Sequence, residues 1–119
     1  MLAARNRVRS SADFSHTVRS GARSGRRNVV LYAVPNPAAP TRVGFIVSKA
    51  VGNAVTRNLV KRRLREAAAQ SLAENPTGLD IVVRALPPAA SASWAQISAD
   101  YAGALSACLN KLSRQDPRK

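Results

Sequence analysis

Residues 48–66 read SKAVGNAVTRNLVKRRLRE. Five cations, Arg57, Lys61, Arg62, Arg63 and Arg65, fall within nine residues, and a single acid, Glu66, stands beside them. Successive residues of an α-helix turn by about 100°. On that wheel Thr56, Val60, Leu64, Ala67, Ala68 and Ser71 share one side, a face suited to packing on a sheet, and the pattern predicts a helix over 53–73. Arg57, Lys61 and Arg65 then form an i, i+4, i+8 row along one edge of that face. Asn58 and Arg62 make a second row, and Leu59 and Arg63 lie on the other flank. Solvated helices usually interleave the two signs, so that neighbours four apart attract. Here Arg57 and Lys61, and again Lys61 and Arg65, repel, at a cost of a few tenths of a kcal/mol for each pair. They also sit mostly in the first half of the helix, where the dipole gives a cation nothing. The arrangement is locally unfavourable and becomes favourable beside phosphate. Asn58 both donates and accepts, so it can read sugar or base edges while the cations hold phosphates. Gly52-Asn53 marks a sharp entry from strand to helix, with Asn53 as the cap. That entry brings Ser48 and Lys49 near the first turn, where unpaired N–H groups favour anions.

Working outward, RVGFIVSK (42–49) and LDIVVRAL (79–86) flank this helix as strands, and the β–α–β unit predicts that they run parallel. NVVLYAV (28–34) is a strand by its β-branched content. PNPAAP (35–40) reads as a turn, so that 28–34 and 42–49 form a hairpin with a long loop. A short helix, SADFSHTVRSG, is predicted with Ser11 as its cap and Gly21 just past its end. NPTG (75–78) ends the basic helix. After Pro87-Pro88, Ser93-x-x-Gln96 forms a capping box. Ile97, Tyr101, Leu105, Cys108 and Leu112 follow at helical spacing. Residues 1–10 are expected as a flexible basic arm, 11–112 as one domain and 113–119 as a loose tail. The fold class is α+β, a small sheet with helices beside it.

The chain has 119 residues, enough for one core. Nineteen Lys and Arg against six Asp and Glu give a formal charge of +13. Such a charge repels itself in a compact domain, and a polyanion, usually nucleic acid, relieves the repulsion. One cysteine, Cys108, excludes an intrachain disulfide or a Cys-based metal cluster, and its place on the apolar stripe marks it as a buried small hydrophobe. His16 is the only histidine, so no His-pair metal site exists; it reads as a surface residue. Trp94 and Tyr101 read as core. The longest apolar run, VVLYAV at 29–34, is far too short to span a bilayer, and the chain is read as cytoplasmic.

At this point the ordered motif Ser48-Lys49, Gly52-Asn53-Ala54-Val55 and Arg57-Asn58-Leu59-Val60-Lys61-Arg62-Arg63-Leu64-Arg65 becomes specific. It resembles the protein component of bacterial ribonuclease P. The likeness runs from about Arg5 to Leu112 and includes Phe14 with Gly21 seven residues on, the VVLY and RVGFIVSK strands, and DIVVRA followed by prolines and a helix. The resemblance implies an αβββαβα sandwich with an extra short strand in ARSGRRN, a central cleft, and a left-handed β–α–β crossover, where general rules favour a right-handed one. It also implies removal of the 5′ leader from precursor tRNA. In that reaction an RNA subunit holds the Mg²⁺ ions, and the non-catalytic protein binds that subunit and the single-stranded leader. Carried over by position, Phe14, Val18, Val30 and Tyr32 line the leader cleft. Arg57, Asn58, Lys61 and Arg65 face RNA, and Arg62, Arg63, Ser48, Lys49 and Asn53 support or extend that surface. Leu59 stands where many relatives carry Arg, with Arg63 on the same flank as a replacement charge. Val18 stands where many carry a second aromatic.

Three other readings compete. A ribosomal-type structural RNA-binding protein shares the charge and size but does not predict the 48–65 pattern. A DNA-binding module needs a helix-turn-helix pair, whereas this basic helix lies between strands. A nuclease in its own right needs carboxylates or a general base that six scattered acids and one histidine do not supply.

Overall fold

The computed structural model describes residues 4–8 and 10–115. After a short 3₁₀ turn at Ala4–Asn6 come α1 (Ser11–Ser20), β1 (Ala22–Gly25), β2 (Val29–Pro40), β3 (Arg42–Ile46), α2 (Ala54–Glu74), β4 (Thr77–Ala85), a second 3₁₀ turn (Pro87–Ser91) and α3 (Trp94–Gln115). This is the α+β order αβββαβα, and β1 is the extra strand of the ARSGRRN connector.

The four strands lie in the order β1-β2-β4-β3. β3 and β4 are parallel, as the β–α–β reading requires, with Val43 opposite Ile81 and Phe45 opposite Val83. The expected hairpin between 28–34 and 42–49 does not form. β2 pairs antiparallel with β4, from Val29 opposite Ala85 to Asn36 opposite Gly78, so β4 separates β2 from β3. The reason lies in β4 itself: Leu79 to Val83 are all buried, so both faces of the strand are covered and it belongs in the middle of the sheet. Nor is PNPAAP a turn. It prolongs β2, with a register shift between Asn36 and Pro40, the kind of irregularity at which prolines are tolerated in a sheet.

Strand alternation divides the core. Val29, Leu31, Ala33, Val43, Ile81 and Val83 face α2 and α3. Val30, Tyr32 and Val82 face the other way, under Phe14 and Val18 of α1. From α2, Val60, Leu64, Ala67, Ala68 and Ser71 are buried, as the wheel predicts, while Thr56 is only half-buried. From α3, Ile97, Tyr101, Leu105 and Cys108 are buried and Leu112 packs at the margin.

Helix ends follow local chemistry. Asn53 caps α2, its Oδ1 accepting from Thr56 N at 2.9 Å. Ser93 and Gln96 form the reciprocal box that starts α3, at 2.9 and 3.1 Å. The cap of α1 is Ser10 and not Ser11, since Ser10 Oγ accepts from Asp13 N. Gly21 follows the helix with φ −75°, outside the left-handed region. Its small size answers to crowding: a Cβ there would lie 2.4 Å from Thr17 O.

Residues 4–8 belong to the segment expected as a flexible arm, but they run against β3. Arg7 bridges to Val43, Val8 N donates to Val43 O at 3.2 Å, and Val8 is buried. At the other end, α3 continues through Gln115 into the expected tail. The remaining positions of both segments, 1–3, 9 and 116–119, lie outside the described residues.

One polar knot joins α1 to the sheet. Arg42 clasps Asp80 through Nε at 3.0 Å and Nη2 at 2.6 Å, and reaches Asp13 of α1 through Nη1 at 3.1 Å. Asn36 donates to Asp80 at 2.7 Å. The Asp80 hydrogen bonds, with the field of both acids, raise the Arg42 pKa further against a smaller opposing effect of burial. Arg42→Ala leaves the mostly buried Asp80 with Asn36 alone. We expect about 2 kcal/mol of destabilisation, read from the urea midpoint; a change under about 0.5 kcal/mol would show the knot to be incidental.

A second polar contact has a pH signature. The Tyr101 hydroxyl meets Ser71 Oγ at 2.8 Å inside the core. Burial, partly offset by that bond, pushes the phenol up to about 12. The folded chain therefore holds this proton more tightly than the unfolded chain, whose tyrosines ionise near 10. The contribution is fully present below about pH 10 and is lost as pH rises toward 12. Tyr101→Phe should cost about 1 kcal/mol at neutral pH and then lose less stability than the parent between pH 10 and 12 in alkaline unfolding. Equal losses would contradict the assignment.

Candidate nucleic-acid interface

β3 is an edge strand, so α1 on one face and α2 on the other can both reach around it. They do so at a cavity of about 240 Å³ lined by Arg7, Val8, Phe14, Val43, Gly44, Phe45, Lys61 and Arg65. Gly44 makes this junction possible. A Cβ there would lie 2.5 Å from Cζ of Phe14 and 3.0 Å from Cβ of Val8. The missing side chain lets the Phe14 ring lie directly on the strand.

Phe14 also borders a second hollow of about 240 Å³ with Ser15, Val18, Arg19, Ile46 and Arg84. A third, with Ser11, Ser15, Phe45 and Ile46, completes the groove. One half-buried ring thus divides a groove whose floor is apolar strand and whose two sides are cationic. Arg7, Lys61 and Arg65 stand on one side, and Arg19 and Arg84 on the other. Such a site can hold phosphates at its walls and a base against its ring.

The residues named from sequence fall into three groups. Lys61, Arg65 and Phe14 meet in the first cavity, and Val18 joins Phe14 at the second. Asn58 and Arg62 are exposed on the outer surface of α2. Arg57 is half-buried, and its Nε is buried without a partner among the described residues. Ser48 and Lys49 are exposed in the turn before α2, where their carbonyls accept from Val51 and Gly52 at 3.1 and 3.2 Å. The cap oxygen of Asn53 is occupied by Thr56.

The third group lies away from the open groove. Val30 and Tyr32 are each 7% exposed, roofed by Phe14 and Val18. They form the floor beneath the ring and offer no open stacking surface. Arg63 donates to the Ala92 carbonyl at 2.6 Å. It secures the entry to α3.

Sequence reasoning missed Arg7, Arg19, Arg84, Gly44 and Phe45. For Arg84 a signal was present: a lone cation in LDIVVRAL shares the Val82 face by alternation, the face that α1 covers only in part. Arg7 had no such signal, because its place depends on the bridge to β3. Among the other singled-out residues, His16 is exposed, Trp94 packs at the core margin and Cys108 is buried. Cys108 Sγ lies 3.3 Å from Ala22 O, and burial, against a smaller effect of Lys111, raises its pKa. Among the described residues no three His, Cys, Asp or Glu side chains converge, and no helix is long and apolar enough to cross a membrane.

The family model described as Ribonuclease P matches residues 2–109. The ribonuclease P protein component of Pseudarthrobacter chlorophenolicus is 66% identical over 119 residues, covering 99% of this chain and 88% of the relative. That of Kocuria rhizophila is 60% identical over 111 residues, covering 93% and 98%. Among solved structures, the Staphylococcus aureus RNase P protein superposes with a TM-score of 0.76 at 32% identity, covering 85% of this chain and 93% of that one. The Thermotoga maritima RNase P protein gives 0.71 at 25% identity, covering 94% and 99%. The chain belongs to the ribonuclease P protein family.

Proposed function

We propose that the chain is the RNA-binding protein subunit of a ribonucleoprotein endoribonuclease, and that it holds the single-stranded 5′ leader of precursor tRNA in the groove at β3. The observation that carries this reading is the meeting of Lys61, Arg65 and Arg7 with the Phe14 ring over Gly44. Cations alone suit any polyanion. Cations beside a ring seated on an apolar floor suit a strand whose bases are unstacked and available to stack, which is the state of a leader outside the tRNA helices.

The outward cations of α2 lie on a different surface. Asn58 and Arg62, with Arg57 beside them, contact the RNA subunit in this reading, with Ser48, Lys49 and Asn53 at the adjoining turn. The RNA subunit carries the active site and its Mg²⁺ ions; the protein raises substrate affinity and lowers the Mg²⁺ and salt needed. The protein supplies charge, a stacking ring and shape, and no reacting group. Its place is the cytoplasm, with precursor tRNA.

The direct test mixes the purified chain with the RNA subunit and precursor tRNA. The chain alone is expected to cleave nothing, while the mixture cleaves at lower Mg²⁺ than the RNA subunit alone. Identical cleavage with and without the chain at near-physiological salt would defeat the proposal and favour a structural RNA-binding role. Lys61→Ala with Arg65→Ala should weaken binding of leader-bearing precursor to the complex and reduce the salt slope by about one or two charges. An unchanged slope would remove this pair from the groove. Phe14→Leu keeps an apolar side chain but no ring face. It should cost about 1–3 kcal/mol in affinity for leader-bearing precursor and leave binding of tRNA without a leader unchanged; an equal loss for both would mean the ring serves packing only.

A further inference from the structure

The edge of the sheet farthest from the groove carries a second group of cations. β1 lies three strand intervals from β3, about 14 Å across the sheet. Arg26 and Arg27 are exposed in the turn from β1 into β2, and Lys111 and Arg114 are exposed on the last turns of α3; Arg23, opposite Tyr32, turns its side chain to the α1 side of the sheet. Contacts on both elements bring the two sets together. The Lys111 ammonium donates to the Arg23 carbonyl. Arg26 lies across α3 at Gly103, where a Cβ would come 3.1 Å from its Nη2. Asn28 pins the turn to α3, its backbone N and Nδ2 both donating to Asp100 Oδ2 at 3.0 and 2.9 Å. Arg26 N closes the turn on Val29 O at 2.8 Å.

The neighbouring acid, Asp100, is thus occupied by Asn28. Arg26, Arg27 and Arg114 take part in no ion pair among the described residues. Charges on a sheet edge can serve only to keep other strands away. That role would explain Arg23 but not the α3 cations. Nor does it explain a glycine in the interior of α3, which costs about 1 kcal/mol in helix propensity and sits where the Arg26 guanidinium crosses. The two faces also differ in kind. The groove sets its cations around Phe14 and Phe45, whereas this face has no aromatic side chain among its four cations, Arg26, Arg27, Lys111 and Arg114.

We infer that the β1–α3 face is a further RNA-binding surface, beyond the groove and the outer face of α2, and that it takes the phosphate backbone of a base-paired segment. Cations without a stacking ring hold phosphates but gain nothing from unstacked bases, so they favour a helix over a single strand. From Gly103 to Arg114 the face extends about 16 Å along α3, long enough to follow several phosphates. The chain would then hold an RNA helix at β1 as well as a single strand at β3. This inference does not depend on the leader reading, because it concerns other residues and another RNA form.

The test is binding of the full chain to a blunt RNA duplex of about 20 base pairs and, separately, to an unstructured single strand, over a series of salt concentrations. Arg26→Ala with Arg27→Ala should weaken duplex binding on the order of fivefold and lower its salt slope by about two. Single-strand affinity should stay within twofold. Lys61→Ala with Arg65→Ala should show the reverse preference. If circular dichroism shows that variant to be misfolded, Arg27→Ala with Arg114→Ala replaces it, with a slope change of about one or two expected. Duplex affinity within twofold of the parent, as a face built for an acidic protein would give, overturns the inference. So does an equal loss for duplex and single strand, the mark of unspecific charge.

Discussion

Acids are scarce in this chain, six against nineteen cations, and much of the structure follows from where the acids go. Asp80 and Asp13 converge on Arg42 and tie α1 to β3 and β4. Asp100 accepts twice from Asn28 and ties the β1–β2 turn to α3. Three of the six acids thus act as internal fasteners, which leaves few to offset the exposed cations. Self-repulsion on this scale lowers the stability of a compact domain unless a polyanion shares the surface. The like-charged row on α2 is the local form of the same constraint. Val60, Leu64, Ala67 and Ala68 bury one side of that helix and hold Lys61 and Arg65 in a geometry that the charges alone would resist.

The fastening of α1 matters because α1 carries Phe14. Asp13 and Phe14 are adjacent, so the contact that holds the one to Arg42 also sets the other over Gly44. Ring, strand and α2 cations are brought together by a salt-bridge knot, by the absence of one side chain, and by an edge strand that lets two helices meet around it. The site therefore belongs to the tertiary structure. No element on its own contains it.

This explains which parts of the molecule were legible in the sequence. Caps, periodicity and the element order depend on residues a few positions apart, and Asn53, the Ser93–Gln96 box and the α2 packing face from Val60 to Ser71 read correctly. The cation row was legible because it lies on one helix. Strand pairing was not: the hairpin expected from β2 and β3 failed because β4, buried on both faces, takes the place between them. That choice is made by the burial of a segment some forty residues away. The positions of Arg7 and Arg63 were equally hidden, one set by a bridge to Val43 and the other by a carbonyl at the entry to α3. Arg84 could have been read from alternation, had a cation in an apolar strand been treated as a signal.

The central claim is that the groove at β3 takes up a single-stranded leader, with cations at its walls and Phe14 at its centre. The most direct measurement is the affinity of the chain, assembled with the RNA subunit, for precursor tRNAs whose leaders are lengthened one nucleotide at a time. The account predicts that affinity rises with each nucleotide that enters the groove and then levels off once the groove is filled. Affinity that is independent of leader length, from none to the longest, would contradict it.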